Sequence, residues 1–293
     1  MLFGALEAGG TKMVCAVGNE HGEILERTSL PTETPDVTMP RMVEFFAGKN
    51  IAALGIGCFG PIDLNRSSAT YGYITTTPKL PWKNYDVCGC FRDALHIPVG
   101  FDTDVNASML GEAAWGCARG LDTAIYITVG TGIGVGVMAG GKLLHGMQHP
   151  EAGHILMPVR SDDPYEGKCP YHKTCLEGLA AGPAIEARWG APGRDLAHRP
   201  EVWDLEAYYL AHAVTNYIMI LSPQKIILGG GVMHQTQLME RIRTYVNDMI
   251  GGYLATRELK DLDSYIVLPS LGDNQGVMGA LKLGMEELER QNA

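Results

Sequence analysis

Short apolar runs broken by glycine turns dominate the first part of the chain, and they carry the two-residue period of strands. Residues 2–7 form one such run, Ala8-Gly9-Gly10-Thr11-Lys12 interrupts it, and residues 13–17 resume as a β-branched and apolar stretch. The same strand, glycine turn and strand recur at 124–129, 130–134 and 135–138, and Gly140-Gly141 marks a further turn. Each glycine tip is expected to reach positive φ and bring its amides near an anion, while Thr or Lys adds a donor. Two such tips opening two similar units predict two α/β lobes that share one polyphosphate. A nicotinamide dinucleotide fold is disfavoured, because the first glycine loop leads into a strand where that fingerprint needs a helix.

Between the hairpins, residues 51–59 read as a buried strand that ends at Gly60-Pro61, and residues 75–82, with two prolines, read as a surface loop. A strand at 97–101 leads through Asp102-Thr103-Asp104-Val105-Asn106 into a helical pattern at 107–115. Asp104 therefore lies near a helix N-terminus. There it serves either as a plain cap or as a base for a substrate hydroxyl, kept ionised by the helix dipole. Residues 204–221 have near-helical apolar spacing, which makes His212 a residue of a core helix without chemistry. Strand 225–228, Gly229-Gly230-Gly231 and an expected helix from Val232-Met233 would lay a nucleotide against backbone. A strand at 265–268 and a helix over 275–290 close the chain, with the charged stretch 286–290 expected on a solvated face.

His154, Cys169, His172 and Cys175 lie close together in sequence, between Glu151 and Glu177. Cys-Pro-Tyr-His-Lys-Thr-Cys separates its donors by two residues each, a pitch at which a tight knuckle turns all three inward, and His154 completes a tetrahedral Cys2His2 zinc site. Four protein ligands close the site, so the zinc is expected to be structural, pinning a loop on which Glu151, His154 and Glu177 present polar groups.

Composition narrows the function. The 293 residues are 46% hydrophobic, enough for a core in each lobe, and the net charge of −10 without any Lys/Arg run speaks against nucleic acid as partner. No stretch approaches the roughly 18 apolar residues of a membrane span, and the first residues lack a leader's basic and apolar regions, so a cytoplasmic location without a membrane partner is expected. The seven cysteines are scattered and odd in number, and disulfides are not expected; Cys88 and Cys90 read as packing.

Taken in order, Glu7 to Lys12, Gly60-Pro61, Asp104-Val105-Asn106, Gly130-Thr131-Gly132, Glu151-Ala152-Gly153-His154, the knuckle with Glu177, and the triple glycine resemble the ROK family of sugar kinases over essentially the whole chain. The knuckle variant, with His172 in place of a thiolate, resembles the family's bacterial fructokinase branch. The resemblance implies an actin-like ATPase (ribonuclease H-like) α/β fold of two lobes with a cleft, residues 1–115 plus 274–293 forming the small lobe and 116–273 the large one. It implies a homodimer using ATP, Mg2+ and structural zinc to phosphorylate D-fructose at its 6-hydroxyl. Asp104 would be the base, and Gly60, Asn106, Glu151, His154 and Glu177 would bind the sugar. Gly9, Gly10, Thr11, Lys12, Thr131 and Gly132 would meet the phosphates, while Pro183, Gly229, Gly230, Gly231, Val232 and Met233 would approach the adenosine. Glu7 stands where the family has Asp, which implies water-mediated contact with Mg2+. The alternatives are a kinase for glucose, mannose or an N-acetylhexosamine, a non-catalytic sugar sensor, and a sugar-responsive repressor. The repressor would need a DNA-binding segment before a first strand that begins here at residue 2.

Overall fold

The computed structural model describes residues 1–293 and divides them into two compact units. The first comprises residues 1–120, 143–149 and 270–293, and the second 121–142 and 150–269.

In the first unit, β1 (Leu2–Ala8) and β2 (Lys12–Asn19) form the expected hairpin, and β3 (Ile24–Pro31) extends it antiparallel. Two parallel strands, β4 (Leu54–Cys58) and β5 (Val99–Thr103), complete the order β3-β2-β1-β4-β5. Strand β5 starts two residues later than its apolar run because Pro98 has no amide to give a ladder. Both faces of the sheet are buried over β1, β2, β4 and β5, as their near-continuous apolar runs require, whereas the edge strand β3 is largely exposed. Leu6, Met13 and Cys15 face α1 (Pro35–Phe46) and α2 (Val87–Leu95). Phe3, Ala5, Val14 and Ala16 face the closing helix Gln275–Asn292.

That closing helix also packs along α3 (Asp104–Trp115), backbone against backbone. A Cβ on Gly279 would lie 1.6 Å from the Ala107 carbonyl oxygen, and one on Gly55 1.8 Å from that of Ala280. Gly279→Ala is therefore expected to destabilise the protein by about 3 kcal/mol, the upper end for overpacking, since the obstacle is backbone rather than a flexible side chain. An unchanged urea midpoint would refute this packing.

Two expectations change here. The charged stretch 286–290 is solvated at Glu286, Glu289 and Arg290 but not at Glu287, which is only 5% exposed and accepts hydrogen bonds from Arg66, Arg290 and Gln291, the two arginine charges offsetting its burial. The 75–82 segment is not simply a surface loop either. Trp82 is buried in the core and donates its indole N–H to the Glu33 carbonyl at 2.7 Å, leaving Leu80 outside.

In the second unit, β6 (Ala124–Val129) and β7 (Ile133–Ala139) form the other expected hairpin, and β8 (Lys225–Gly229) and β9 (Ile266–Val267) add in parallel in the order β7-β6-β8-β9. The long helix Pro200–Leu221 begins on a proline, whose missing amide costs nothing in a first turn, and buries Trp203, Tyr209 and Tyr217 in the core. The helix expected directly after the triple glycine does not form. Gly230 adopts φ 89°, Gly231–His234 make one 3-10 turn, and the α-helix waits until Leu238–Ile250. No helix is long and apolar enough to cross a membrane.

Candidate active site

Strand β5 passes into α3 with no intervening loop. Thr103 caps the helix, its hydroxyl accepting the Asn106 amide at 3.1 Å, so Asp104 is not the cap but the first helical residue. Freed from capping, the Asp104 carboxylate accepts its neighbour Val105's amide, at 2.9 Å. Burial pushes its pKa up to about 6, outweighing the helix-end amides that favour the anion. The dipole thus does not hold this carboxyl low; the group sits near neutrality, where a base is most useful, and is ionised above that pH. Near it, Glu7 of β1 rises to about 7, first through burial and then through the charge of Asp104, against lowering by Lys12 and Arg27. Two partly buried carboxyls, one raising the pKa of the other, fit a divalent cation nearby.

Behind Asp104 lies a network that the sequence did not disclose. Buried Asp102 accepts the Thr103 amide and the Asn106 side-chain amide on one oxygen, each at 2.7 Å, and meets His145 Nε2 at 2.7 Å with the other. That bond raises the pKa of His145 above the usual imidazole value. Asn106 is buried and turned towards Asp102, so its place is behind the carboxylate rather than at the surface of the site. Buried His149 accepts the Ile62 amide at 3.3 Å beside the cis Gly60-Pro61 bond, and a Cβ on Gly60 would lie 3.4 Å from its ring. The only local signal for these two histidines was their nearness to Glu151 in sequence.

At the β1–β2 tip neither Gly9 nor Gly10 has positive φ; the same holds for Gly130 and Gly132 at the β6–β7 tip. Close approach, not backbone handedness, favours glycine at Gly9 and Gly132. A Cβ on Gly9 would lie 2.8 Å from the Lys12 carbonyl oxygen, and one on Gly132 2.7 Å from Glu177 Oε2. Thr11, Lys12 and Thr131 are exposed at the tips and free to meet phosphate.

In the second unit, Glu177 Oε2 accepts the Ile133 amide at 3.0 Å, tying the short helix Leu176–Ala180 to the hairpin tip. Pro183 is half-buried in the first turn of the helix Gly182–Trp189, whose Gly182 amide donates to the Gly130 carbonyl. Gly231 is open and Val232 half-buried, whereas Gly229 is pressed against the Tyr126 hydroxyl and the Met233 side chain lies in the core. Glu151 is exposed just before the turn Ala152–His154. Gly153 lets that turn sit on β7, since a Cβ there would be 1.7 Å from the Ile133 carbonyl oxygen.

The structure gathers His154, Cys169, His172 and Cys175 so that one donor atom from each lies within 4.8 Å of the others. His154 Nδ1 is 3.5 Å from Cys175 Sγ and 3.8 Å from Cys169 Sγ, and His172 Nδ1 is also 3.8 Å from Cys169 Sγ. Zinc–nitrogen and zinc–sulfur bonds at a tetrahedral angle give an edge of about 3.6 Å, so the cage fits that ion. Both thiols are free. With Nδ1 turned inward, His154 keeps Nε2 on the other side, 3.9 Å from Glu177 Oε1. One ring can therefore ligate a metal and still face a substrate.

A sequence model described as "ROK family" matches residues 3–287. A relative from Bacillus subtilis is 50% identical over 293 residues, covering 100% of this chain and 98% of its own. A fructokinase from Pediococcus pentosaceus is 43% identical over 289 residues, 99% of each chain. Among solved structures, a ROK hexokinase from Thermus thermophilus superposes with a TM-score of 0.79 at 26% identity, covering 99% of this chain and 100% of that one.

Proposed function

The chain belongs to the ROK family, and from that premise we propose that it transfers the γ-phosphoryl group of ATP to the 6-hydroxyl of D-fructose with Asp104 as base. Fructokinases at 43 and 44% identity over nearly the whole chain support phosphorylation of fructose with ATP. The observation that carries the mechanism is Asp104 itself: a carboxylate poised near pH 6, spared from capping by Thr103.

The sugar's 6-oxygen attacks the γ-phosphorus, Asp104 takes the hydroxyl proton as the bond forms, and the bond to the β-phosphate oxygen breaks in line, releasing ADP. Asp102, fixed by Asn106 and His145, keeps the turn that aims Asp104 rigid. Glu151, the Nε2 side of His154, and Glu177 are assigned to the sugar hydroxyls. Lys12 and the exposed threonines of the two tips are assigned to the phosphates, and the half-buried Pro183 and open Gly231 to the adenosine. Mg2+ supplies positive charge to the triphosphate oxygens, and Glu7 would hold its hydration shell. Zinc would be held by His154, Cys169, His172 and Cys175, a closed set that gives rigidity rather than reactivity. A homodimer in the cytoplasm completes the reading, with sedimentation as the check on assembly.

The test is MgATP-dependent ADP production with fructose, mannose, glucose and N-acetylmannosamine offered separately. The highest kcat/KM is expected on fructose. A different preferred hexose would overturn the fructose assignment and keep the chemistry, whereas binding without turnover on every sugar would leave a sensor.

A further inference from the structure

Three arginines converge in the first unit away from the groups described so far. Arg66 comes from the segment after the Gly60-Pro61 turn, Arg92 from α2 and Arg290 from the closing helix, and with Tyr71 and Glu287 they line a cavity of about 270 Å³. Its charge is unbalanced, with three guanidinium groups facing one carboxylate. Glu287 takes one Arg66 N–H at 2.7 Å and is bracketed by Arg290 and Gln291, which uses both of its oxygens. The Arg92 guanidinium makes no hydrogen bond or salt bridge. The Tyr71 hydroxyl is buried with no partner, and burial lifts its pKa to about 12, so it stays a neutral donor. Arg66 lies 5.0 Å over the Tyr71 ring, which holds one face of its fork and leaves N–H groups to spare. Donors therefore outnumber acceptors.

We propose that this cavity binds a small phosphate-bearing anion, either inorganic phosphate or a phosphate monoester. Planar guanidinium forks match the paired oxygens of a phosphate, and the hydroxyl supplies a further donor. The volume lies at the small end of the roughly 300–1,000 Å³ typical of ligand sites, which suits a small anion. The site is separate from the kinase chemistry. Val99, at the amino end of β5, lines the cavity, whereas Asp102 lies roughly 10 Å further along at strand rise and Asp104 just beyond the strand's carboxyl end. This inference does not depend on which sugar the enzyme takes.

The test is calorimetric titration of the whole protein with inorganic phosphate while fructose and a non-hydrolysable ATP analogue saturate the active site. One phosphate per chain is expected. Arg92→Gln should weaken that binding at least tenfold and leave kcat and both KM values in phosphate-free buffer unchanged, because the Arg92 side chain has no part in the kinase site and lies at the other end of β5 from Asp104. Fructose 6-phosphate titrated in the same way distinguishes the sources: binding at least tenfold tighter than phosphate assigns a sugar phosphate, and equal or weaker binding assigns the free ion. No uptake by the unaltered protein, or equal uptake by Arg92→Gln, overturns the proposal; in the second case Arg92 only complements the C-terminal end of α2.

Discussion

Asp104→Asn is expected to lower kcat by about 10²- to 10⁴-fold, the usual contribution of a general base, while KM for fructose stays within a few-fold. The amide keeps an oxygen for the Val105 N–H and an acceptor for the sugar hydroxyl, so binding and the start of α3 survive. What is lost is the proton acceptor. In the unaltered enzyme kcat should rise with pH through about 6, where Asp104 loses its proton, and then level; in the variant that rise should vanish. Stability should move the opposite way to activity. The folded pKa lies above the ordinary 3.8, so the native state holds this proton more tightly than the unfolded chain. The carboxylate therefore costs nothing below about 3.8, costs progressively more up to about 6, and carries its full cost above that. Because Asp104 retains some solvent contact, the relief in the neutral variant is expected to be only on the order of 1 kcal/mol at pH 7.5, seen as a higher melting temperature. Retained turnover would remove Asp104 from the mechanism. Loss of both turnover and stability would make it a structural residue.

Stripping the metal from the cysteine and histidine cage is expected to release one zinc per chain, lower the melting temperature by about 10 °C, and abolish turnover together with that loss. The coupling is geometric. Cys175 caps the helix that carries Glu177, accepting the Gly178 amide, and His154 ends the turn that Gly153 seats on β7. Without a cation the knuckle must be held by Lys173 in a left-handed conformation, at a cost of about 1–3 kcal/mol with little to offset it. Cys175→Ser should reproduce the effect without a chelator, and restored zinc should recover both melting point and activity in the unaltered protein only. Turnover lost at an unchanged melting temperature would mark the metal as catalytic. If neither moved, the cage would be a cluster of thiols and imidazoles without an ion.

Much of this protein was legible along the chain because the relevant signals are local. Period-two runs around Gly9-Gly10 and Gly130-Gly132 foretold both hairpins, donor spacing foretold the cage, and Asp104 at a strand-to-helix passage foretold a candidate base. Each depends on residues a few positions apart, whose relation is set by backbone geometry that any fold must obey. Partners distant in sequence were not legible. His145 reaches Asp102 across 43 residues, and Arg66 reaches Glu287 across 221, pairing the one buried carboxylate of an otherwise solvated tail. The tip glycines were recognisable, but the reason for Gly9 and Gly132 was not, since it lies in what a Cβ there would strike. The pKa of Asp104 belongs to the same class: a helix start by itself favours the anion, and only the packing of the first unit supplies the burial that lifts it to about 6. Local pattern therefore determined most of the elements that form and which residues are candidates for chemistry. Tertiary structure decided their environment, because desolvation and long-range hydrogen bonds exist only once distant segments have met.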